Sequence, residues 1–196
     1  AAVRRQGTLK QRMAAMLLRD TPETFGIPSR LLHWSAALAI AAAWIVGTVM
    51  GDLPRGPSRA AGTDLHFALG TLVLSLTALR LLWRLFNPLP VPPPGTPLWQ
   101  DRAAHLAHLA LYVLMFAVPF SGVLAAWFGG KAVNLFWVTT LASPFARDRA
   151  WEKGAEEVHE VLANGLLILV AAHILAALWH HFIRRDGLLR RMMPLR

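Results

Sequence analysis

Four long apolar runs govern what this chain can become. They cover roughly Leu31 to Met50, Leu65 to Phe86, Leu106 to Phe128 and Val161 to Ile183. Each matches the ~20 residues that a helix needs to cross a bilayer. Breakers separate them: "GDLPRGPSRAAG", "NPLPVPPPG" and "FGGKAVNLFWVTTLASPFARDRAWEKG". The Pro-rich second connection cannot continue a helix and reads as stiff and extended. With 55% hydrophobic and 16% charged residues, the chain is too apolar for a soluble domain of its size. These features predict an all-α fold, an integral membrane four-helix bundle. Residues 1–30 precede the first run, which argues against reading it as a signal peptide. Pro119 in "AVPFSG" predicts a kink in the third span.

Lys and Arg placement sets the orientation. With the N-terminus inside, the inner side holds 14 of the 20 basic residues, from Arg4, Arg5, Lys10, Arg12, Arg19 and Arg30 to the C-terminal Arg184, Arg185, Arg190, Arg191 and Arg196. The outer loops hold Arg55, Arg59, Lys131, Arg147, Arg149 and Lys153. This bias predicts both termini in the cytoplasm. Trp34, Trp83, Trp127 and Trp179 lie near span ends, as an interfacial belt does. The formal net charge of +9 then marks loops facing anionic lipid rather than a nucleic-acid surface. No Gly-rich phosphate loop and no nucleophile motif is present. Residues 7–19 suit either a short amphipathic helix on the inner surface or a frayed tail. The chain thus divides into an N-terminal extension, 1–26, and a membrane domain, 27–196.

Histidines stand out against this apolar frame. His173 lies within an apolar run, where an ionisable group points to function by default. His159 lies 14 residues earlier, about 21 Å along the same helix and within roughly 40° of the same direction. His66 starts the second span at the outer depth of His159. His33 starts the first span at the inner side, His173 being the deeper of that pair. Two pairs thus form, His33 with His173 and His66 with His159. Facing imidazoles across a bundle suit the two axial positions of a haem iron. The chain has no cysteine, which excludes disulfides, thiolate metal sites and covalent haem attachment but not b-type haem. Gly70, one turn after His66, leaves room for a flat ring. A protein-ligated zinc or copper site is a weaker rival, since it wants three or four ligands at one depth.

The remaining polar residues carry open readings. His105 and His108 share a face of the third span. They stand in for a ligand, line a quinone pocket or, the favoured reading, simply lie at the interface. His180, two turns past His173, either serves a quinone carbonyl or is an interfacial side chain. Arg80, on the face of His66 but at inner depth, pairs with a haem propionate or snorkels to the headgroups, and the sequence favours snorkelling.

The segments "RLLHW", "LHFALGTLVLSLTALRLLWR", "HLAHLALYVLMFAVPFSGVL", "HEVLANGLLILVAAHILAALWHHF" and "RRDGLLRRMMP" resemble the bacterial cytochrome b561 family, from about residue 27 onward. The resemblance is to its di-haem, four-helix members of the superoxide:ubiquinone oxidoreductase type. It implies two haem b groups, with His33 and His173 as ligands of the inner one and His66 and His159 of the outer one. It also implies a ubiquinone site near His180, superoxide or a redox protein as donor, and a bacterial inner-membrane location. Outer-loop charge does not add to this: the six basic residues there face seven acids. Two rival functions remain at this point. One is a subunit relaying electrons between a dehydrogenase or hydrogenase and quinone, with "VNLFWV" as its docking contact. The other is a haem-free membrane transporter.

Overall fold

The computed structural model describes residues 18–135 and 139–193. It contains four long helices, each apolar and long enough to cross a membrane: α1 Ile27–Met50, α2 Pro57–Leu85, α3 Leu98–Phe128 and α4 Arg149–Trp179. Each begins N-terminal to the apolar edge read from the sequence, because helical hydrogen bonding continues into polar flanks that hydropathy excludes. A π-helical turn, His180–Arg184, extends α4, and a short α5, Leu188–Met192, follows. Two three-residue strands, β1 Val133–Leu135 and β2 Thr139–Leu141, pair antiparallel in the third connection, which the sequence reading treats as loop.

Local chemistry explains the helix ends. The Asp148 carboxylate accepts from the Ala150 and Trp151 N–H groups, capping α4. No side chain at Gly26 caps α1. Instead the buried Asp20 accepts from Gly26 N–H at 2.6 Å and Ser29 Oγ at 2.7 Å. Pro28 and Pro57 open α1 and α2, where their missing N–H costs nothing. Gly130, at φ 70°, turns the chain away after α3. The helix α3 continues through Pro119 without a break.

The bundle is apolar outside, with Leu38 70% and Ile168 72% exposed, as lipid contact requires. Helix α1 packs on α2, α2 on α3 and α3 on α4, whereas no comparable backbone packing among the described residues joins α1 or α2 to α4. The core is one mid-depth layer of Ala39, Val73, Met115 and Leu166, one residue from each helix.

Both described chain ends meet at one end of the bundle, here the terminal end. Trp34 Nε1 donates to Met192 O at 2.8 Å and Arg30 donates to Met193 O. Val91 N–H bonds Pro22 O, and Arg191 donates to Val91 O, so the Pro-rich connection is knitted in. The opposite, hairpin end carries β1 and β2. Most of residues 7–19, and Phe136 to Val138 of "VNLFWV", lie outside the described residues. Val133 of that stretch is fully buried, so it offers no docking contact.

Candidate functional site

Seven-residue steps along each helix pass from one end of the bundle through the core layer to the other. The ladders are His33–Ile40–Gly47, His66–Val73–Arg80, His108–Met115–Gly122 and His159–Leu166–His173. Seven residues make nearly two turns, so each ladder keeps one face inward and its steps lie about 10.5 Å apart. The hairpin-end level therefore gathers Gly47, His66, Gly122 and His159. The terminal-end level gathers His33, Arg80, His108 and His173.

At the hairpin end the His66 and His159 rings stand 6.0 Å apart, centre to centre. His66 Nδ1 lies 3.0 Å from Ala43 O, and His159 Nδ1 lies 2.9 Å from Val118 O and 3.1 Å from Ser121 Oγ. A carbonyl only accepts, so each Nδ1 carries the proton and each Nε2 keeps its lone pair. Each ring also rests on a glycine one turn beyond its carbonyl partner. A Cβ at Gly47 would stand 2.9 Å from His66 Cε1, and one at Gly122 would stand 3.1 Å from His159 Cε1. The same seat is thus built twice, from α1 for His66 and from α3 for His159. The sequence reading missed both glycines. A Cβ at Gly70, by contrast, would meet no atom within 4 Å.

At the terminal end the His33 and His173 rings stand 6.2 Å apart, and His108 stands 5.6 Å from His173. Among the described residues no glycine seats a ring at this level. Arg80 Nη1 donates to His33 Nδ1 at 2.8 Å, and Arg80 and Arg84 both lie 5.8 Å from the Tyr112 ring centre. Two readings are corrected here. Arg80 turns into the bundle instead of snorkelling, because the ring of Tyr112 and the lone pair of His33 receive its guanidinium. His108 joins the inner cluster instead of the interface, because its ladder faces inward. His105, one turn from Asp101, is exposed and makes its polar contact with that residue. Trp83 Nε1, three residues from Arg80, is the one buried side-chain donor without a partner among the described residues.

His180 lies in the π turn, with its Nδ1 bonded to the Asp186 carboxylate. Burial opposes ionisation of Asp186, but hydrogen bonds from His180 and from Leu188 N–H outweigh it. The carboxyl is held below its ordinary value.

These sites fit b-type haem. An imidazole–metal bond is about 2 Å and the ring centre lies about 1 Å behind the nitrogen, so two imidazoles on one iron stand with centres about 6 Å apart. Both pairs meet that spacing, and both bridge helices that lack close backbone packing. Among the described residues no cluster of three or more His, Cys, Asp or Glu suits a bare metal ion.

A sequence model of prokaryotic cytochrome b561 matches residues 24–195. The chain belongs to the prokaryotic cytochrome b561 family. It is 36% identical over 170 residues to cytochrome b561 homolog 1 of Escherichia coli, covering 84% of this chain and 94% of the relative. It is 32% identical over 179 residues to cytochrome b561 homolog 2 of the same species, covering 91% and 95%. It is 30% identical over 167 residues to the probable superoxide oxidase CybB of Yersinia pestis, covering 83% and 92%. As a cytochrome b561 it is a bacterial membrane electron-transfer protein that binds b-type haem and works with a quinone or redox partner in lipid. Family membership sets the haem-free transporter reading aside.

Proposed function

We propose that the chain moves electrons through two b haems, one at each end of the bundle, from superoxide at the outer face to ubiquinone near the inner haem. The observation that carries this reading is the pair of imidazole couples at one-iron spacing, set at opposite ends of heptad ladders. His66 and His159 would hold the outer iron through Nε2, and His33 and His173 would hold the inner one. Bound haem supplies a one-electron iron couple. The carbonyls of Ala43 and Val118 fix the tautomer and orientation of the outer imidazoles. At the inner site, ligation through Nε2 leaves a proton on His33 Nδ1, which then cannot accept from Arg80. Arg80 therefore turns to another acceptor, and a haem propionate matches its charge. Arg84 and the unpartnered Trp83 N–H follow on the same helix one turn later. His180, its Nδ1 anchored by Asp186, would present Nε2 to a quinone carbonyl and relay to it a proton drawn from the cytoplasm. The basic residues of the terminal end support a cytoplasmic placement of both termini.

The superoxide reading rests on the name of the Yersinia relative. Outer charge does not reinforce it, because Lys131 and Arg147 both face Glu152, at 3.6 and 4.0 Å, and Lys153 faces Glu157. The test is to deliver superoxide anaerobically to the oxidised, purified protein and follow the haem bands. Fast reduction, abolished by superoxide dismutase, is the expected result. Bands that ignore superoxide but respond to quinol contradict it and make the chain a relay for a protein donor.

A further inference from the structure

Three arginines at the terminal end tie separate segments of the fold together. Arg30 donates to Phe25 O and Met193 O, Arg184 to Gly95 O and Gln100 Oε1, and Arg191 to Val91 O. Two others do not. Arg185 and Arg190 are exposed and pair with no carboxylate among the described residues. They share a cavity of about 270 Å³ with His181, Phe182 and Gly187.

The turn after α4 builds this cavity by sorting charge. Arg185 adopts a left-handed conformation, φ 54°, and Gly187 another, φ 75°. A non-glycine residue holds that conformation only where its surroundings require it. Between them Asp186 turns inward, its carboxylate occupied by His180 and Leu188 N–H. The Asp186 carboxylate is thereby kept off the cavity lining, which among the described residues holds two guanidinium groups and an imidazole but no acid. Arg185 Nε is tied to Phe182 O, which leaves the outer nitrogens of its fork to face a ligand. Phe182, 62% exposed, and Ile183, 70% exposed, continue the apolar surface of the last span from the cavity edge. A cationic pocket directly above an apolar, lipid-facing helix end matches an anionic amphiphile: phosphate in the pocket, acyl chains along the helix.

We infer that His181, Arg185 and Arg190 form a binding site for the phosphate of an anionic phospholipid headgroup. This site does not depend on the haem assignments. The experiment is native mass spectrometry of the haem-loaded protein released from phosphatidylcholine/phosphatidylglycerol bilayers. The wild type is expected to retain phosphatidylglycerol over phosphatidylcholine. The Arg185→Gln/Arg190→Gln double variant is expected to retain it about thirtyfold less, as loss of two cations near a membrane surface implies. Arg102→Gln, which removes an exposed arginine at the same end but outside the cavity, is expected to behave as wild type. If the double variant fails to fold, His181→Gln and Arg190→Gln singly carry the test. Equal retention of both lipids, undiminished retention in the variants, or calorimetric binding of inorganic phosphate without lipid selectivity would each overturn the inference.

Discussion

At the residue scale, the two bundle levels treat their imidazoles differently. At the hairpin end each ring has a backbone carbonyl and a glycine seat, and among the described residues no charged group hydrogen-bonds it. A methyl added at either seat must push a ring whose Nδ1 is already held. Gly47→Ala and Gly122→Ala are each expected to cost about 1–3 kcal/mol and to lower or distort outer-haem binding. Haem content and the low-temperature absorption spectrum check this. Gly154→Ala, whose methyl meets nothing, is the control and is expected to leave both haems intact. At the terminal end a guanidinium stands beside His33. A cation near an iron favours the electron-richer, reduced state. Potentiometric titration of Arg80→Gln is expected to show a lower midpoint for one haem and an unmoved one for the other. On the proposed two-haem reading, this asymmetry would make the inner site the better electron acceptor and favour flow toward the terminal end.

At the scale of elements, much was legible in the sequence and the rest was hidden for definable reasons. The four spans, their order and the two histidine depths follow from apolar run length and the 14-residue spacing in α4. The glycine seats do not. A missing side chain has no meaning until the ring it admits is located, and that ring belongs to another helix. Two side chains were misjudged: depth put His108 at the interface, and Arg80, though placed on the face of His66, read as reaching out to the headgroups, whereas both turn into the bundle. The β1–β2 hairpin was missed because three-residue strands give too short an alternation to read. Beyond α4, the π turn and two left-handed residues bring Asp186 back to His180, a contact no periodicity signals. Asp186→Asn is expected to slow quinone reduction, as His180→Ala does, while the haem spectra stay unchanged. The carboxyl titrates below its ordinary value. The stability this contact contributes is therefore full above that ordinary value and fades as pH falls through the lowered one. Melting of wild type and Asp186→Asn across the acid range is expected to converge as pH drops.

At the scale of the whole molecule, the bundle is two half-sites joined by one core layer. Ala39, Val73, Met115 and Leu166 lie between the levels, and α1 and α2 reach α4 there through side chains rather than close backbone packing. The two imidazole levels thus lie about 21 Å apart along the helices, and on the proposed two-haem reading each is expected to fill and to fail separately. Haem-to-chain stoichiometry, by pyridine haemochrome assay with resolved spectra, tests this most directly. Two haems per wild-type chain are expected, with one remaining in His159→Ala, the inner, and one in His33→Ala, the outer. His108→Ala is expected to keep both, which separates a neighbour of His173 from a ligand. A single haem in the wild type, or full haem content in His33→Ala or His159→Ala, would contradict the two paired-imidazole sites.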